Sequence, residues 1–411
     1  MLKRIIDVVS SLKLTVVLLS LGIALVFFGT LGQVSDGLYL AQQKYFRSWF
    51  TYWHPAQVSW LILPLPGGYF LGTSLLINLI TAHVSRFRFS WKKSGIWMTH
   101  FGIILLLIGQ LVTDMFATES HIRLTEGQSK NYSDSSQKNE LAVTILGDSG
   151  NDTVVAFPES LVKQKGELQH PSLPFRIKVK EYFVNSGAQP RGPRSGGQPQ
   201  ADHGVAQFFT FEPAPETFAM DDRNIPGAIV EVIGSKGSLG TWVTSLYTGD
   251  DSIAPSMARR LAKMIGPQLA ERLGAELMKP QEFETDGKRF RIAYRPVRFY
   301  TPQWIELVKF TNEKYLGTDI PKDYRSRVRL QNPSTGEKRE LDIYMNSPLR
   351  YNGLTYYQSS FDPFDSRVTV LQVVKNPGWL TPYAGCSLVA GGLLVQFLIH
   401  LVGFITKRRT A

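Results

Sequence analysis

The 411-residue sequence contains a single cysteine, Cys386. One thiol cannot form an internal disulfide, a CxxC redox pair or a thiolate metal cage. Cys386 lies in a long apolar run near the C-terminus, where a free cysteine behaves as a small apolar residue. Any function outside a membrane therefore proceeds without thiol chemistry of the chain's own.

Motifs of the common enzyme classes are also missing. The sequence has no Gly-rich phosphate loop, no nucleophile elbow and no HExxH motif. Its long apolar runs contain no Asp or Glu, which argues against a proton or cation transporter. The sequence thus predicts no catalytic residue, and whether the chain is a subunit of an enzyme stays open.

The formal net charge of +11 would suit a nucleic-acid-binding protein, but its placement indicates another origin. Residues 1–13, 85–94 and 405–411 together hold ten Lys and Arg residues and one Asp. All three segments flank apolar runs, which is the pattern of cytoplasmic loops under the positive-inside rule. We therefore expect the lipid bilayer as a partner, and no nucleic acid.

Four apolar runs predict an integral membrane α-helical protein with four spans, because each run is about as long as a membrane helix must be. The first run competes with a signal peptide, but it is long for one and no small-residue cleavage site follows. The predicted segments are a cytoplasmic N-terminus (1–13), three spans (about 14–32, 68–84 and 95–113), an aromatic outer loop (33–67), a basic inner loop (85–94), and a fourth span with a basic cytoplasmic tail (378–411).

Residues 114–377 predict a large β-rich extracytoplasmic domain between the third and fourth spans. Segment 186–204 is rich in Gly, Pro, Gln and Ser, which predicts a mobile loop. Apolar residues at helical spacing over 255–278 predict one or two amphipathic helices that pack on the sheet. Runs with the composition and alternation of strands occur at 141–146, 175–180, 289–294 and 368–374.

The functional candidates are three of the seven histidines. His83 ends the second span, His100 begins the third and His400 lies near the end of the fourth, so all three are expected at a similar depth toward the inner face. Imidazoles there are suited to an axial haem ligand, a proton relay or a metal site. The alternative is that each ring simply reaches the lipid headgroups.

His100 is the strongest of these candidates because it lies deepest. A rise of about 1.5 Å per residue places it roughly 10 Å beyond Lys93. Gly102 and Gly109 follow on the same helix. Small residues beside an imidazole leave room for a flat neighbour, which is either another helix or the face of a porphyrin.

Five stretches of the sequence carry a resemblance to a known family. They are residues 11–33, the aromatic patch 45–50, the segment 100–109, and most specifically 345–360 (MNSPLRYNGLTYYQSS) with 376–379 (NPGW). Together they resemble the ResB family, also called CcsB, of System II cytochrome c biogenesis proteins. The middle of the chain, about 120–330, contributes little to the resemblance.

The resemblance implies a specific function. A protein of this family acts with a second membrane protein, CcsA, to move haem b across the membrane and present it to reduced apocytochrome c. His100 stands at the position of the family's candidate axial haem ligand, which is paired with a histidine of CcsA. No family role carries over to His83 or His400, which remain weaker cofactor-binding candidates.

Further expectations follow from the same resemblance. Because the chain lacks a CxxC motif, thioredoxin-like proteins would keep the apocytochrome reduced. The bacterial plasma membrane is expected as the location in preference to a thylakoid, with the large domain outside the cytoplasm. No metal other than haem iron is expected.

Two other functions remain open from the sequence. The first is a membrane-anchored b-haem electron-transfer subunit, in which His83 would face His100 or His400 across one haem. The second is a haem-free scaffold that holds CcsA and the outer domain together. The haem spectrum of the isolated chain and the effect of replacing His100 distinguish the three functions.

Overall fold

The computed structural model describes residues 1–53, 62–86, 90–147, 152–191, 198–217, 223–317, 321–362 and 365–410. The chain divides into two compact units. The first unit contains Met1–Thr118 and Asn376–Ala411, and the second contains Glu119–Thr217 and Asn224–Lys375. The first is helical, and the second is the β-rich domain that the sequence predicted.

The α-helices of the described residues are α1 (Leu2–Val9), α2 (Leu12–Ala41), α3 (Gly68–Arg86), α4 (Ser94–Phe116), α5 (Glu159–Val162), α6 (Leu246–Gly249), α7 (Ala254–Ile265), α8 (Pro267–Met278) and α9 (Thr381–Thr410). A π-helix follows α2 at Gln42–Phe46, and short 3-10 helices lie at Trp91–Lys93 and Gly204–Gln207.

Three helical segments among the described residues are long and apolar enough to cross a membrane: Leu12–Phe46, Trp91–Phe116 and Thr381–Arg408. They contain the whole of the first and of the third predicted spans, and the last overlaps the segment predicted for the fourth. The second predicted span corresponds to α3, a 19-residue helix that is not among the three. Polar side chains such as those of Asn78 and His83 lower the mean hydropathy of α3.

The aromatic segment after the first span is more ordered than the predicted outer loop. Helix α2 continues to Ala41, with Gly37 in a left-handed conformation at φ 72° that kinks it. The π-helix then folds back against α2, so that a Cβ at Gly32 would lie 2.6 Å from the Tyr45 ring. A small hairpin follows, and the predicted stretch 54–61 lies outside the described residues.

The strands are β1 (Phe50–Trp53), β2 (Leu63–Pro66), β3 (Thr118–Thr125), β4 (Ser129–Ile145), β5 (Thr153–Pro158), β6 (Glu167–Leu168), β7 (Arg176–Phe183), β8 (Ser186–Pro190), β9 (Phe209–Pro213), β10 (Gly227–Gly234), β11 (Gly237–Ser245), β12 (Gln281–Thr285), β13 (Lys288–Lys314), β14 (Pro321–Asn332), β15 (Glu337–Tyr344), β16 (Leu349–Tyr351), β17 (Leu354–Asp362) and β18 (Asp365–Lys375). Each of the four predicted β runs falls within or overlaps one of them.

A ten-stranded sheet organises the second unit, in the order β15-β14-β13-β4-β3-β18-β17-β16, with β12 on β13 and β5 on β4. A four-stranded sheet has the order β11-β10-β7-β6. One apolar core joins residues of the four-stranded sheet to β4, β5 and the start of β13. A second core lies among β3, β14, β17 and β18. Long-range antiparallel pairing of this kind buries one face of each strand.

Two predicted segments of this domain differ in detail from the sequence interpretation. Ser186–Pro190 pairs with Phe209–Pro213 as a hairpin arm, so this end of the predicted mobile loop is a strand. Its partner strand carries Phe209 and Phe211 into the core, and that burial outweighs the polar composition of 186–190. Residues 192–197 of the loop lie outside the described residues. The segment 255–278 contains two helices, α7 and α8, which bury Leu261 and Leu277 in the core.

Candidate functional site

The last turn of α3 and the first two turns of α4 bring two of the three candidate histidines together. The imidazole rings of His83 and His100 lie 4.7 Å apart between centroids, with an interplanar angle of 65°. Trp97 packs against His83 with ring centroids 5.3 Å apart. The three half-buried rings form one cluster, which we call the histidine cluster (His83, Trp97 and His100).

Local sequence accounts for this cluster. Trp97 and His100 are three residues apart on α4 and therefore share one face of the helix. The connection from α3 ends in the 3-10 turn Trp91–Lys93, and the Ser94 hydroxyl donates to the Trp91 carbonyl at 2.9 Å at the start of α4. Two antiparallel helices joined by so short a link place the end of one beside the start of the next.

The hydrogen bond of His83 identifies its tautomer. Its Nδ1 lies 2.9 Å from the Leu79 carbonyl oxygen, one turn back on α3. A carbonyl only accepts, so Nδ1 carries the proton and Nε2 bears the lone pair of the neutral ring. Histidines that bind metals are commonly oriented in this way, with the second nitrogen donating to a backbone carbonyl. This hydrogen bond therefore orients the His83 ring, which lies against His100.

The glycines of α4 pack on a helix. A Cβ added at Gly102 would lie 2.8 Å from the Gly385 carbonyl oxygen and 2.8 Å from Val389. Gly95 meets Gly392 and Gln396 of α9 in the same way. The sequence left either a helix or a porphyrin face as the neighbour of these glycines. In the structure their neighbour is the helix α9. The heptad spacing of Gly95, Gly102 and Gly109 makes this the seam on which α4 and α9 pack.

His400 does not join the cluster. Its Nε2 lies 3.0 Å from Nε2 of Gln396 on the same helix. Gln396 packs at Gly95 and lies 3.4 Å from the Lys92 carbonyl oxygen, level with the start of α4. His400 follows one turn further along α9, whereas His100 lies more than one turn inside α4. The expected common depth therefore applies to His83 and His100 and not to His400.

The geometry of the pair limits its ligand chemistry. At 4.7 Å the two rings are in direct contact. An iron with one imidazole on each side would need about 2 Å on either side of the metal, which separates the ring centroids further. In this arrangement the pair presents one ligand position and not two that bracket a haem. Among the described residues, no group of three or more His, Cys, Asp or Glu forms a metal cage.

A polar contact at the other ends of the same helices was not predicted from the sequence. The Tyr69 hydroxyl, near the start of α3, donates to Oδ2 of Asp114, near the end of α4. Nε of Arg47 lies 2.7 Å from the other carboxylate oxygen, and the Asp114 side chain is 8% exposed. We call Arg47, Tyr69 and Asp114 the outer lock. Only the Asp at the end of an apolar run signals it in the sequence.

A second missed contact satisfies the polar residue in the middle of α3. The Asn78 amide oxygen accepts from the Thr15 hydroxyl at 2.7 Å, and its nitrogen donates to the Val9 carbonyl at 2.6 Å. Asn78 is 2% exposed. Its contacts tie α3 to the junction of α1 and α2, and they remove the cost of an unsatisfied amide in an apolar environment.

The second unit also has a polar cavity, of about 760 Å³. Arg291, Arg295 and Arg298 line it, and their carboxylate partners are Glu282, Glu140 and Asp134, respectively. Arg298 stacks on the Tyr132 ring at 4.3 Å, and burial raises the pKa of Tyr132 to about 12. Because each arginine has an acidic partner, the cavity carries no excess positive charge from them and we assign it no ligand.

Part of this sequence is similar to sequences of known proteins. The sequence model of the ResB-like family matches residues 277–368, from the end of α8 to β18. Over these residues the chain is similar to the ResB-like family. The match includes the stretch 345–360, on which the resemblance rests most specifically, and it lies in the second unit, outside the histidine cluster.

The chain is also similar to Protein NrfI of Wolinella succinogenes. The two are 31% identical over 140 residues, which make up 34% of this chain and 15% of NrfI. The aligned part is thus a small share of the length of NrfI. What NrfI does as a whole is not transferred to this chain by the alignment alone.

Proposed function

We propose that this protein is a membrane subunit of a haem-delivery complex for cytochrome c biogenesis. The family match supports the general role, and the contact between His83 and His100 on two helices of the first unit supports the haem-binding part. The complex would include a CcsA-type membrane protein and act on reduced apocytochrome c. Thioredoxin-like reductants would act on the apocytochrome.

The residues of the histidine cluster fit a haem of the b type as a single axial ligand position. Neutral imidazole nitrogens are common axial ligands of haem iron. When bound, haem supplies the iron that takes the imidazole and the vinyl groups that are joined to the two thiols of the apocytochrome. We propose His100 as the axial ligand, with the second ligand contributed by the partner.

The other two rings of the cluster hold His100 in place. His83 lies against the His100 ring and is itself oriented by the Leu79 carbonyl. Trp97 covers His83 and keeps water from that side of the pair. The contact with His83 restricts rotation of the His100 ring, which lowers the entropy lost when it binds a ligand.

The membrane topology is also part of the proposal. Helix α3 would be the second of four spans and would complete the set. Its 19 residues rise about 28 Å, and the amide of Asn78 is hydrogen-bonded inside the helical unit. The three basic segments then all face the cytoplasm of a bacterial plasma membrane, and the β-rich unit lies outside. This places the domain on the side where c-type cytochromes mature.

A geometric observation counts against the electron-transfer alternative. A b-haem subunit would bracket one haem with two of its own histidines, whereas His83 and His100 contact each other directly and His400 lies apart. The haem-free scaffold is the alternative function that the following experiment distinguishes from the proposal.

The test is purification of the chain in detergent, with and without co-expressed CcsA, followed by haem spectroscopy. His100→Ala is compared with His400→Ala, a matched control on α9. The proposal predicts that haem copurifies with the complex, is lost in His100→Ala and is kept in His400→Ala. Equal haem in both variants would contradict the ligand role, and cytochrome c maturation without any bound haem would favour the scaffold.

A further inference from the structure

The outer lock and the histidine cluster are the same distance apart on both helices. Fourteen residues separate Tyr69 from His83 along α3, and fourteen separate His100 from Asp114 along α4. Fourteen residues of α-helix rise about 21 Å. Since fourteen is two heptads, the two positions on each helix lie close to one face. One antiparallel register therefore makes both contacts at once.

The other attachments of the two helices do not set this register. Asn78 ties α3 to Thr15 and Val9, which belong to the α1–α2 junction and not to α4. The glycines of α4 pack on α9 and not on α3. The outer lock is thus a polar contact between α3 and α4 themselves, at the end opposite the histidines.

We propose that Tyr69 and Asp114, supported by Arg47, are positioning residues that fix the register of α3 against α4 and thereby hold His83 against His100. A helix is stiff along its axis, so a slide at the outer end moves the inner end by the same amount. A slide of one turn, about 5.4 Å, would break a ring contact of 4.7 Å.

The chemistry of the lock suits this role. A hydrogen bond to an ionised carboxylate is shorter and stronger than one between neutral groups, and low exposure of the acceptor strengthens it further. The Asp114 side chain is 8% exposed and also pairs with Arg47. Arg47 follows the π-helix, so the carboxylate ties three chain segments together and its own position is well defined.

The inference rests on the proposed function only in assigning haem binding to the histidine pair. Its first test measures the register of α3 against α4 and does not require haem. Cys386→Ser provides a cysteine-free chain, into which Leu76→Cys and Leu107→Cys are introduced. These positions lie seven residues from each contact, so the register places them opposite each other. The pair Leu76→Cys with Leu111→Cys is one turn out of register.

A short thiol-to-thiol cross-linker is applied to the full chain in detergent. We expect rapid cross-linking of the in-register pair and slow cross-linking of the other. Tyr69→Phe should slow the in-register reaction by roughly tenfold to a hundredfold, the range of one lost charge-assisted hydrogen bond. Tyr39→Phe, which removes a hydroxyl from an exposed tyrosine of α2, should leave both rates unchanged.

A second readout is the absorption spectrum of haem that copurifies with the CcsA complex. Tyr69→Phe should shift the spectrum toward weaker axial ligation, and added imidazole should restore it, which a purely structural residue would not show. Equal cross-linking rates in Tyr69→Phe and its control would overturn the inference. If His100→Ala abolishes the haem signal, a slower cross-link with an unchanged spectrum in Tyr69→Phe would also overturn the inference. A slower cross-link in a chain for which His100→Ala leaves haem unchanged would keep the lock and reject the haem-ligand role.

Discussion

His83 lies edge-on against His100, with the two imidazole centroids 4.7 Å apart. Nδ1 of His83 donates to the Leu79 carbonyl, so the orientation of this ring is set by its own helix. Two imidazoles in contact act as one ligand position. That geometry fits a haem whose second ligand comes from a partner protein.

The first prediction concerns the seam between α4 and α9. Gly102→Leu should destabilise the helical unit by about 1–3 kcal/mol or prevent its folding, because a side chain there meets Gly385 and Val389. Thermal unfolding in detergent, followed by size-exclusion chromatography, measures the effect. Gly22→Leu is the matched control, because a Cβ at Gly22 has no heavy atom within 4 Å. Equal stability of the two variants would contradict the seam.

The second prediction concerns Asn78. Asn78→Ala removes the acceptor of the Thr15 hydroxyl and the donor to the Val9 carbonyl, so the stability of the helical unit should fall by about 1–2 kcal/mol. Ser85→Ala removes a hydroxyl that donates only within α3, to the Thr81 carbonyl, and should have little effect. Faster proteolysis near Ser11 in Asn78→Ala would report the loosened α1–α2 junction, and identical cleavage would count against it.

Hydropathy and alternation predicted much of this fold, because both are properties of single segments. The three long apolar helices and the four β runs follow from apolar length and from β-branched composition. The tertiary partners did not follow. That Gly102 faces α9, and that Tyr69 reaches Asp114, depends on how separate helices pack, which no local pattern encodes.

The histidines illustrate the same limit. Sequence order suggested a common depth for His83, His100 and His400, since each lies near the inner end of a span. The structure separates His400 because it lies one turn past Gln396, which packs at Gly95, and this offset comes from the glycine seam. The contact of His83 with His100 was only one of the pairings that the sequence allowed.

The third prediction concerns a buried ion pair of the β-rich unit. Glu140 and Arg295 lie 3.1 Å apart with side chains that are 10% and 7% exposed. Glu140→Leu leaves an uncompensated guanidinium and should cost about 3–5 kcal/mol, whereas the double variant Glu140→Leu/Arg295→Met should recover most of that loss. Thermal melts of the full chain measure both. Glu282→Leu, at the exposed pair with Arg291, is the control and should cost about 1 kcal/mol or less.

The fourth prediction is a pH dependence at the edge of the ten-stranded sheet. A hydrogen bond from Arg327 holds the pKa of Asp342 below the usual value of an aspartate side chain. The folded pKa of Asp342 lies below its unfolded pKa. The pair therefore stabilises the fold at pH values above the unfolded pKa, and this stabilisation is lost as the pH falls through the folded pKa. Arg327→Gln should therefore lower the melting temperature slightly at pH 6 and hardly at all near pH 2. An equal loss at both pH values would contradict this origin.

The central claim is that His100 provides the haem ligand position of this protein, and the most direct measurement is resonance Raman or absorption spectroscopy of haem in the complex co-purified with CcsA. The account predicts a low-spin axial imidazole signature that is lost in His100→Ala, returns when imidazole is added and is unchanged in His400→Ala. A spectrum identical in wild type and His100→Ala would contradict it.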